Sequence, residues 1–381
     1  MIKKKLRSNF LFLFLGILYF PLFKYYIFLN NNKGHSFLTS DWLINYNYGF
    51  VKRGLAGTIF FNITNDPDLM LDIISISLIT IYLLIFYFLN KTFNIQKQNF
   101  ITVVLIFSPA AFLFPIYDSQ GAFRKEIIGI LTLFIVTSQI KNKNYRPYLL
   151  LGSFIYTFAI FSHSVNVFFL TTILFIIYKF YESKSIYDYS IFIIPTIFYF
   201  FMYILFSVSE SELYFIRDNI CNDLRDINLF NLCGHGSFDY LVWDVNANYV
   251  ISQNFIINER RSEHYTYILL FLISLIPYFF DRKIKTFYFP FILIGISFIP
   301  LFVLAIDWGR WIYIMSICFL SIYLLIEKDR IQYKFSYILL LFPIFFELEH
   351  CCKPKFELDL NYFLDNLNFL IFNFENIILY R

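Results

Sequence analysis

Met1-Ile-Lys-Lys-Lys-Leu-Arg7, an apolar run from Phe10 to Leu29, and then Asn30-Asn31-Asn32-Lys33 form the stretch that decides the class of fold. About 20 residues of apolar helix are what one crossing of a bilayer core requires. The basic head and apolar body have the layout of a signal peptide, yet no small-x-small cleavage site follows. The segment therefore reads as a retained first span whose basic end stays in the cytoplasm.

The rest of the chain repeats that theme. Of 381 residues, 59% are hydrophobic and 15% charged, whereas a soluble domain carries about a quarter charged residues and just under half apolar ones. The expectation is an all-α, polytopic integral membrane helical bundle of about eleven spans with its N-terminus inside. Spans are expected at 9–29, 68–89, 100–117, 126–140, 148–161, 167–180, 190–208, 266–280, 286–306, 311–326 and 335–347. Lys91 and Lys97, then Lys141, Lys143 and Arg146, then Lys179 and Lys184, then Arg282, Lys283 and Lys285, then Lys328, Arg330 and Lys334 fall in inner loops. Such sidedness follows from the resistance of short basic loops to translocation. The organisation is membrane helices over 1–208, one large outer loop over 209–265, membrane helices over 266–347 and an outer tail over 348–381. Within the tail, 356–380 alternates acidic with aromatic or aliphatic positions, as an interfacial helix would.

Two short helices are expected within 148–180, divided at Ser162-His163-Ser164-Val165-Asn166. One long tilted helix is the alternative, and it would place the basic loops at 281–285 and 327–334 outside. Several spans are shorter than 18 residues, which suits re-entrant or partly buried helices. Cys221 and Cys233 can close a disulfide if the large loop meets an oxidising compartment, or remain free thiols. Cys318 is a packing residue, and Cys351-Cys352 lacks companions at zinc-ligand spacing, so no metal or cofactor is expected. The 53 Phe and 30 Tyr follow the drift of an A/T-rich coding sequence and carry no function by themselves. A net charge of +4 without a dense Lys/Arg run excludes a nucleic-acid partner.

Charged groups at the ends of spans are costly and mark function by default. Four clusters stand out. The first outer loop holds Asp41, the aromatic stretch Tyr46-Asn47-Tyr48, and Lys52-Arg53 bracketed by Gly49 and Gly54. Glycines let backbone amides approach an anion, and a Lys-Arg pair supplies charge and a fork of donors for phosphate; contact with lipid headgroups is the plainer role. The second, Asp118-Ser119-Gln120-Gly121-Ala122-Phe123-Arg124-Lys125-Glu126, opens a helix with two cations. A helix N-terminus disfavours cations, so either Glu126 or a ligand phosphate balances them. In the third, His163 lies between Ser162 and Ser164 and is either a general base or a hydrogen-bonded turn residue. The fourth is Asp307-Trp308-Gly309-Arg310-Trp311, where the acid and the cation can simply pair.

All four fall on the outer side of a topology set by other residues. Asp41, Asp118, Asp307 or His163 could then deprotonate an acceptor hydroxyl, while Lys52, Arg53, Arg124, Lys125 and Arg310, with Trp308, hold a departing diphosphate. Arg260 and Arg261 of the large loop join the cationic set; His235, His264, Asp239 and Asp244 are further groups there.

In the strings Gly49-Phe50-Val51-Lys52-Arg53-Gly54-Leu55 and Asp307-Trp308-Gly309-Arg310, and in its many spans with one larger outer loop, the chain resembles bacterial O-antigen and capsular polysaccharide repeat-unit polymerases. The resemblance implies polymerisation of polyprenyl-diphosphate-linked oligosaccharide on the periplasmic face of the bacterial inner membrane. It carries an anion-handling role to Arg53, Arg310 and Arg260 or Arg261. Membrane lipid, the lipid-linked glycan and a chain-length regulator or other glycan-assembly proteins are the implied partners. A membrane glycosyltransferase using polyprenyl-phosphate sugars is the main alternative, with Asp41 as its base. No Asp-x-Asp or Glu-x-Asp pair, however, occurs in the first outer loop before the Lys-Arg cluster; Asp66-Pro67-Asp68 contains one, but it abuts the second span. A glycan flippase or other transporter would bury charge along several spans, and here Lys24 is nearly alone. A membrane O-acyltransferase would need a His-centred motif that the sequence lacks.

Overall fold

The computed structural model describes residues 9–206, 208–234, 236–243, 245–259, 261–281, 288–327, 346 and 348–351. Every regular element among them is a helix. Four helices are long and apolar enough to cross a membrane: Phe10–Asn31, Pro67–Phe93, Ile186–Leu205 and Trp308–Leu325. Ile17, Ile76 and Ile204, on three of these, are each at least 65% exposed. Large aliphatic side chains facing outward at that level are consistent with a surface that meets lipid.

The chain divides into two compact units, one built from Met1–Tyr25, Phe86–Ala122 and Tyr249–Arg381, the other from Tyr26–Ile85 and Phe123–Asn248. At the heart of the second unit is helix Glu126–Ser138, with every residue buried. A helix apolar all round has no solvent face and must be enclosed by others. Helices Arg146–Ser162 and Phe169–Phe180 pack on it, and both also meet Ile186–Leu205.

The break between Arg146–Ser162 and Phe169–Phe180 falls where the polar string predicts it. Asn166 braces the break: its Nδ2 donates to the carbonyls of Ala159 (2.9 Å) and His163 (3.1 Å), which also accept the backbone N–H groups of His163 and Asn166. The Tyr46 hydroxyl donates to a third carbonyl, that of Phe161, at 2.6 Å. Gly129 makes this possible, since a β-carbon there would overlap Asn166 Oδ1 and the Phe169 ring.

The polar segment after Ile186–Leu205 folds as a cap on the loop around residues 33–52 of the same unit. Helix Glu210–Asp226 starts at Ser209, whose backbone N–H donates to the Glu212 carboxylate at 2.7 Å while the Glu212 N–H reaches the Ser209 hydroxyl. A Cys221–Cys233 disulfide ties this helix to the following turn. Asn231 then donates to the Lys33 carbonyl, the Ser237 N–H to the Ser36 carbonyl, the Tyr48 hydroxyl to Asp223 and Lys52 Nζ to the Trp243 carbonyl. Gly49 permits the docking twice over: its φ is 152°, and a β-carbon would strike Ile216 of the cap helix.

The first unit has a centre of the same kind, helix Trp308–Leu325, buried throughout from Gly309 to Leu325. Phe100–Ile106, Arg261–Phe279 and Tyr288–Leu304 pack around it. The expected span at 100–117 is interrupted: the helix ends at Ile106 and resumes only as the short turn Phe114–Tyr117. Pro109 explains this, because it lacks an N–H and pushes the residue before it out of the helical region. The Phe112 carbonyl released there accepts from the Tyr19 hydroxyl at 2.7 Å. The expected span 335–347 is described only at Phe346, and the tail helix 356–380 and Arg260, His235 and Asp244 lie outside the described residues.

Candidate functional site: a buried ionic cluster

Asp41 sits on the short helix Leu38–Leu43, all six residues of which are buried. Arg53 Nη1 lies 3.3 Å from Asp41 Oδ1, and Asp41 Oδ2 has no hydrogen-bond partner among the described residues. Lys125 enters from the turn before Glu126–Ser138, fully buried, and donates to the Arg53 carbonyl at 2.7 Å. Arg124, one residue earlier, donates at 3.1 Å to the Phe37 carbonyl and to the Ser237 hydroxyl of the cap. Burial by itself would raise the proton affinity of Asp41, but Lys125, Arg53, His163 and Arg124 hold its carboxyl far below the usual carboxylate range. For Lys125, burial is the largest influence and pushes its pKa down to about 8; attraction to Asp41 and Glu126 offsets part of this, and repulsion from Arg53 and Arg124 adds to it.

The helix break brings His163 to the same place. Its Nδ1 accepts from the Val165 N–H at 3.2 Å, which leaves the ring proton on Nε2, and Nε2 faces Glu126 Oε1 at 3.8 Å. Asn166 adds a longer contact to the Lys125 carbonyl at 3.5 Å. His163 is thus arranged as a donor towards a carboxylate, because gaining a proton at Nδ1 would cost it the Val165 hydrogen bond. Asp41 is likewise better suited to anchoring cations than to general base work, since a strongly acidic carboxyl takes up protons poorly.

In the other unit, Asp307 pairs with Arg310 at 2.7 Å, and Arg310 lies over the Trp311 ring at 4.5 Å. The Trp308 indole donates to the Phe302 carbonyl at 3.0 Å and stands edge-on to His264. Arg261 is exposed and reaches Tyr265. Asp118 Oδ1 accepts from the Gln120 and Gly121 N–H groups at 3.0 Å, and its Oδ2 meets His350 Nδ1 at 2.7 Å. Burial opposes its charge, but His350 and these hydrogen bonds keep the carboxyl below its ordinary range.

Of the residues expected from sequence, Asp41, Arg53, Arg124, Lys125 and His163 come together within one unit, while Lys52 is directed to the cap. Asp118, Asp307, Trp308, Arg310 and Arg261 belong to the other unit. Sequence reasoning missed Glu126 as the carboxylate facing His163, Ser237 as the Arg124 acceptor, and His350. A carboxylate opening an otherwise apolar helix was the available signal for Glu126; the other two carried none. Among the described residues, no group of three His, Cys, Asp or Glu side chains could hold a metal ion. Comparison with protein-family models, curated proteins and solved structures returns no match to this chain.

Proposed function

We propose that this chain is a multi-pass membrane glycan-assembly enzyme of about eleven spans that polymerises polyprenyl-diphosphate-linked oligosaccharide repeat units at the outer face of a bacterial inner membrane. The observation that carries this reading is the gathering of three largely buried cations, Arg53, Arg124 and Lys125, around Asp41, with Glu126 as a second carboxylate in electrostatic reach of Lys125. Burying each ion costs several kcal/mol, and among the described residues the three cations outnumber the carboxylates Asp41 and Glu126 by one, a balance that suits an anionic ligand. A diphosphate matches it in charge and in its many acceptor oxygens, and fixed cations at a departing diphosphate stabilise the charge that grows as the glycosidic bond breaks. The Cys221–Cys233 bond supports the outward orientation, because disulfides persist in oxidising compartments.

Transfer of one sugar from a polyprenyl phosphate is the second reading, favoured by the buried position of Asp41 on the first outer loop. Its pairing with Arg53 and its low proton affinity make it a weak base, which ranks this reading below polymerisation. Deletion of the gene, with surface glycan resolved on a gel, separates the classes. A polymerase deletion leaves acceptors bearing a single repeat unit; a transferase deletion removes one sugar, and a flippase deletion traps material inside the cell. Unchanged glycan would end the glycan-assembly reading altogether.

A further inference from the structure

Lys24 is a charge that the ionic cluster does not use. It lies exposed inside helix Phe10–Asn31, one of the four that are long and apolar enough to cross a membrane. One side of this helix is committed to the first unit: Leu15, Tyr19 and Leu22 are buried, and Tyr19 donates to the Phe112 carbonyl and meets the Phe86 ring edge-on at 4.8 Å. The opposite side presents Phe10, Leu13, Ile17, Phe20 and Lys24, all exposed, at alternating intervals of three and four residues. That spacing is the seam along which one helix packs on another, and Lys24 is its polar member. Gly16 borders the seam with no atom within 4 Å of where a β-carbon would stand, so a second backbone can approach closely there. At 1.5 Å per residue, Lys24 is about 10 Å inside the nearer helix end at Asn31. A lysine at such a depth ordinarily turns its long chain towards the headgroups. This one does the reverse: its Nζ lies 5.2 Å from the centre of the Phe20 ring, one turn closer to the middle of the helix. Among the described residues, no carboxylate is paired with it.

We propose that this face of helix Phe10–Asn31 is the docking surface for a transmembrane helix of another protein, one that carries an Asp or Glu near the middle of its span to pair with Lys24. A charge held in hydrocarbon is costly alone, and an ammonium paired with a carboxylate relieves the cost of both. A single charged position in an otherwise apolar seam also fixes which helix binds and in what register. Lipid phosphates sit in the headgroup layer, about 15 Å from the bilayer midplane, out of reach of an ammonium directed inwards. A second copy of this chain offers no acid at the required depth on its four spanning helices: Asp68, Asp72 and Asp188 all lie within two turns of a helix end. The occupant is therefore a different polypeptide, and the docking face stands independently of the glycan-assembly reading.

The test reconstitutes the full chain in lipid bilayers with a labelled synthetic transmembrane peptide of about 20 Leu and Ala residues that carries one central Asp, and reads association by energy transfer. The Asp peptide should bind wild type about fivefold or more tighter than the same peptide with Leu at that position, and Lys24→Met should remove the difference. Lys24→Glu should move the preference to a peptide with a central Lys. Equal binding of the Asp and Leu peptides by wild type, or a preference that survives in Lys24→Met, overturns the proposal. In cells, a photo-crosslinking side chain at position 20 should join the chain to a transmembrane segment containing Asp or Glu, and Lys24→Met should abolish that adduct. Adducts with lipid alone, or with a second copy of this chain alone, overturn the proposal as well.

Discussion

Replacing Lys125 with methionine separates function from stability at the ionic cluster. The side chains are similar in length, but only lysine carries the buried ammonium. Its pKa falls from 10.5 to about 8 on folding, and at 1.36 kcal/mol per unit this corresponds to an unfavourable contribution of about 3 kcal/mol at pH 7. The lost charge-assisted hydrogen bond to the Arg53 carbonyl costs about 1.5–3 kcal/mol in the other direction. Lys125→Met should therefore leave stability unchanged or raise it by up to about 1 kcal/mol, seen as a rise of no more than about 2 °C in Tm in detergent. The sign fixes the pH window. A lysine whose folded pKa lies below its unfolded value gains stability as pH rises from about 8 to 10.5, so the advantage of the methionine variant is full below pH 8 and fades across that interval. Affinity for a diphosphate lipid should drop at least tenfold, since one charge-assisted hydrogen bond is worth about 1.5–3 kcal/mol. A variant that melts lower at pH 7 by more than about 2 kcal/mol would show Lys125 to be a scaffold residue and refute the reasoning.

Asp41→Ala should act oppositely, leaving Arg53 and Lys125 without their carboxylate and costing about 3–5 kcal/mol, visible as a lowered Tm or loss of folded protein. Gly49→Ala sets a β-carbon against Ile216 at a backbone angle that side chains avoid; about 1–3 kcal/mol of local strain should loosen the cap and speed proteolysis within 209–243 without a comparable fall in global Tm. Cys221→Ser opens a loop of 12 residues and should lower stability by about 2–3 kcal/mol, with non-reducing gel mobility reporting the lost bond.

Much of the helical layout was legible because apolar runs and polar breaks determine it locally. The division at Ser162 followed from a polar string amid hydrophobes, and the Asn166 side chain adds hydrogen bonds to two carbonyls across it. At Pro109 hydropathy misled: Ile106 and Phe112 are both apolar and buried, so the run looks continuous although the backbone is not helical between them. The cation cluster was visible as separate Lys and Arg pairs, but their directions were not. Arg124 and Lys125 are neighbours in sequence, yet one reaches Ser237 in the cap and the other the Arg53 carbonyl. Glu126, one of two expected counter-charges for Arg124-Lys125, does attract Lys125 but also faces His163, and the partner of Asp118 lies 232 residues away in sequence. Pairings at that separation are set by tertiary packing, which no local pattern encodes.

The central claim is that this cluster holds a diphosphate lipid, and equilibrium binding of a labelled polyprenyl diphosphate to the full chain in lipid nanodiscs tests it most directly. With uncharged polyprenol as the control, wild type should prefer the diphosphate by about tenfold or more at low salt, and Lys125→Met should lose that preference while remaining folded. Equal binding of diphosphate and polyprenol by wild type, or an undiminished preference in the variant, would contradict the account.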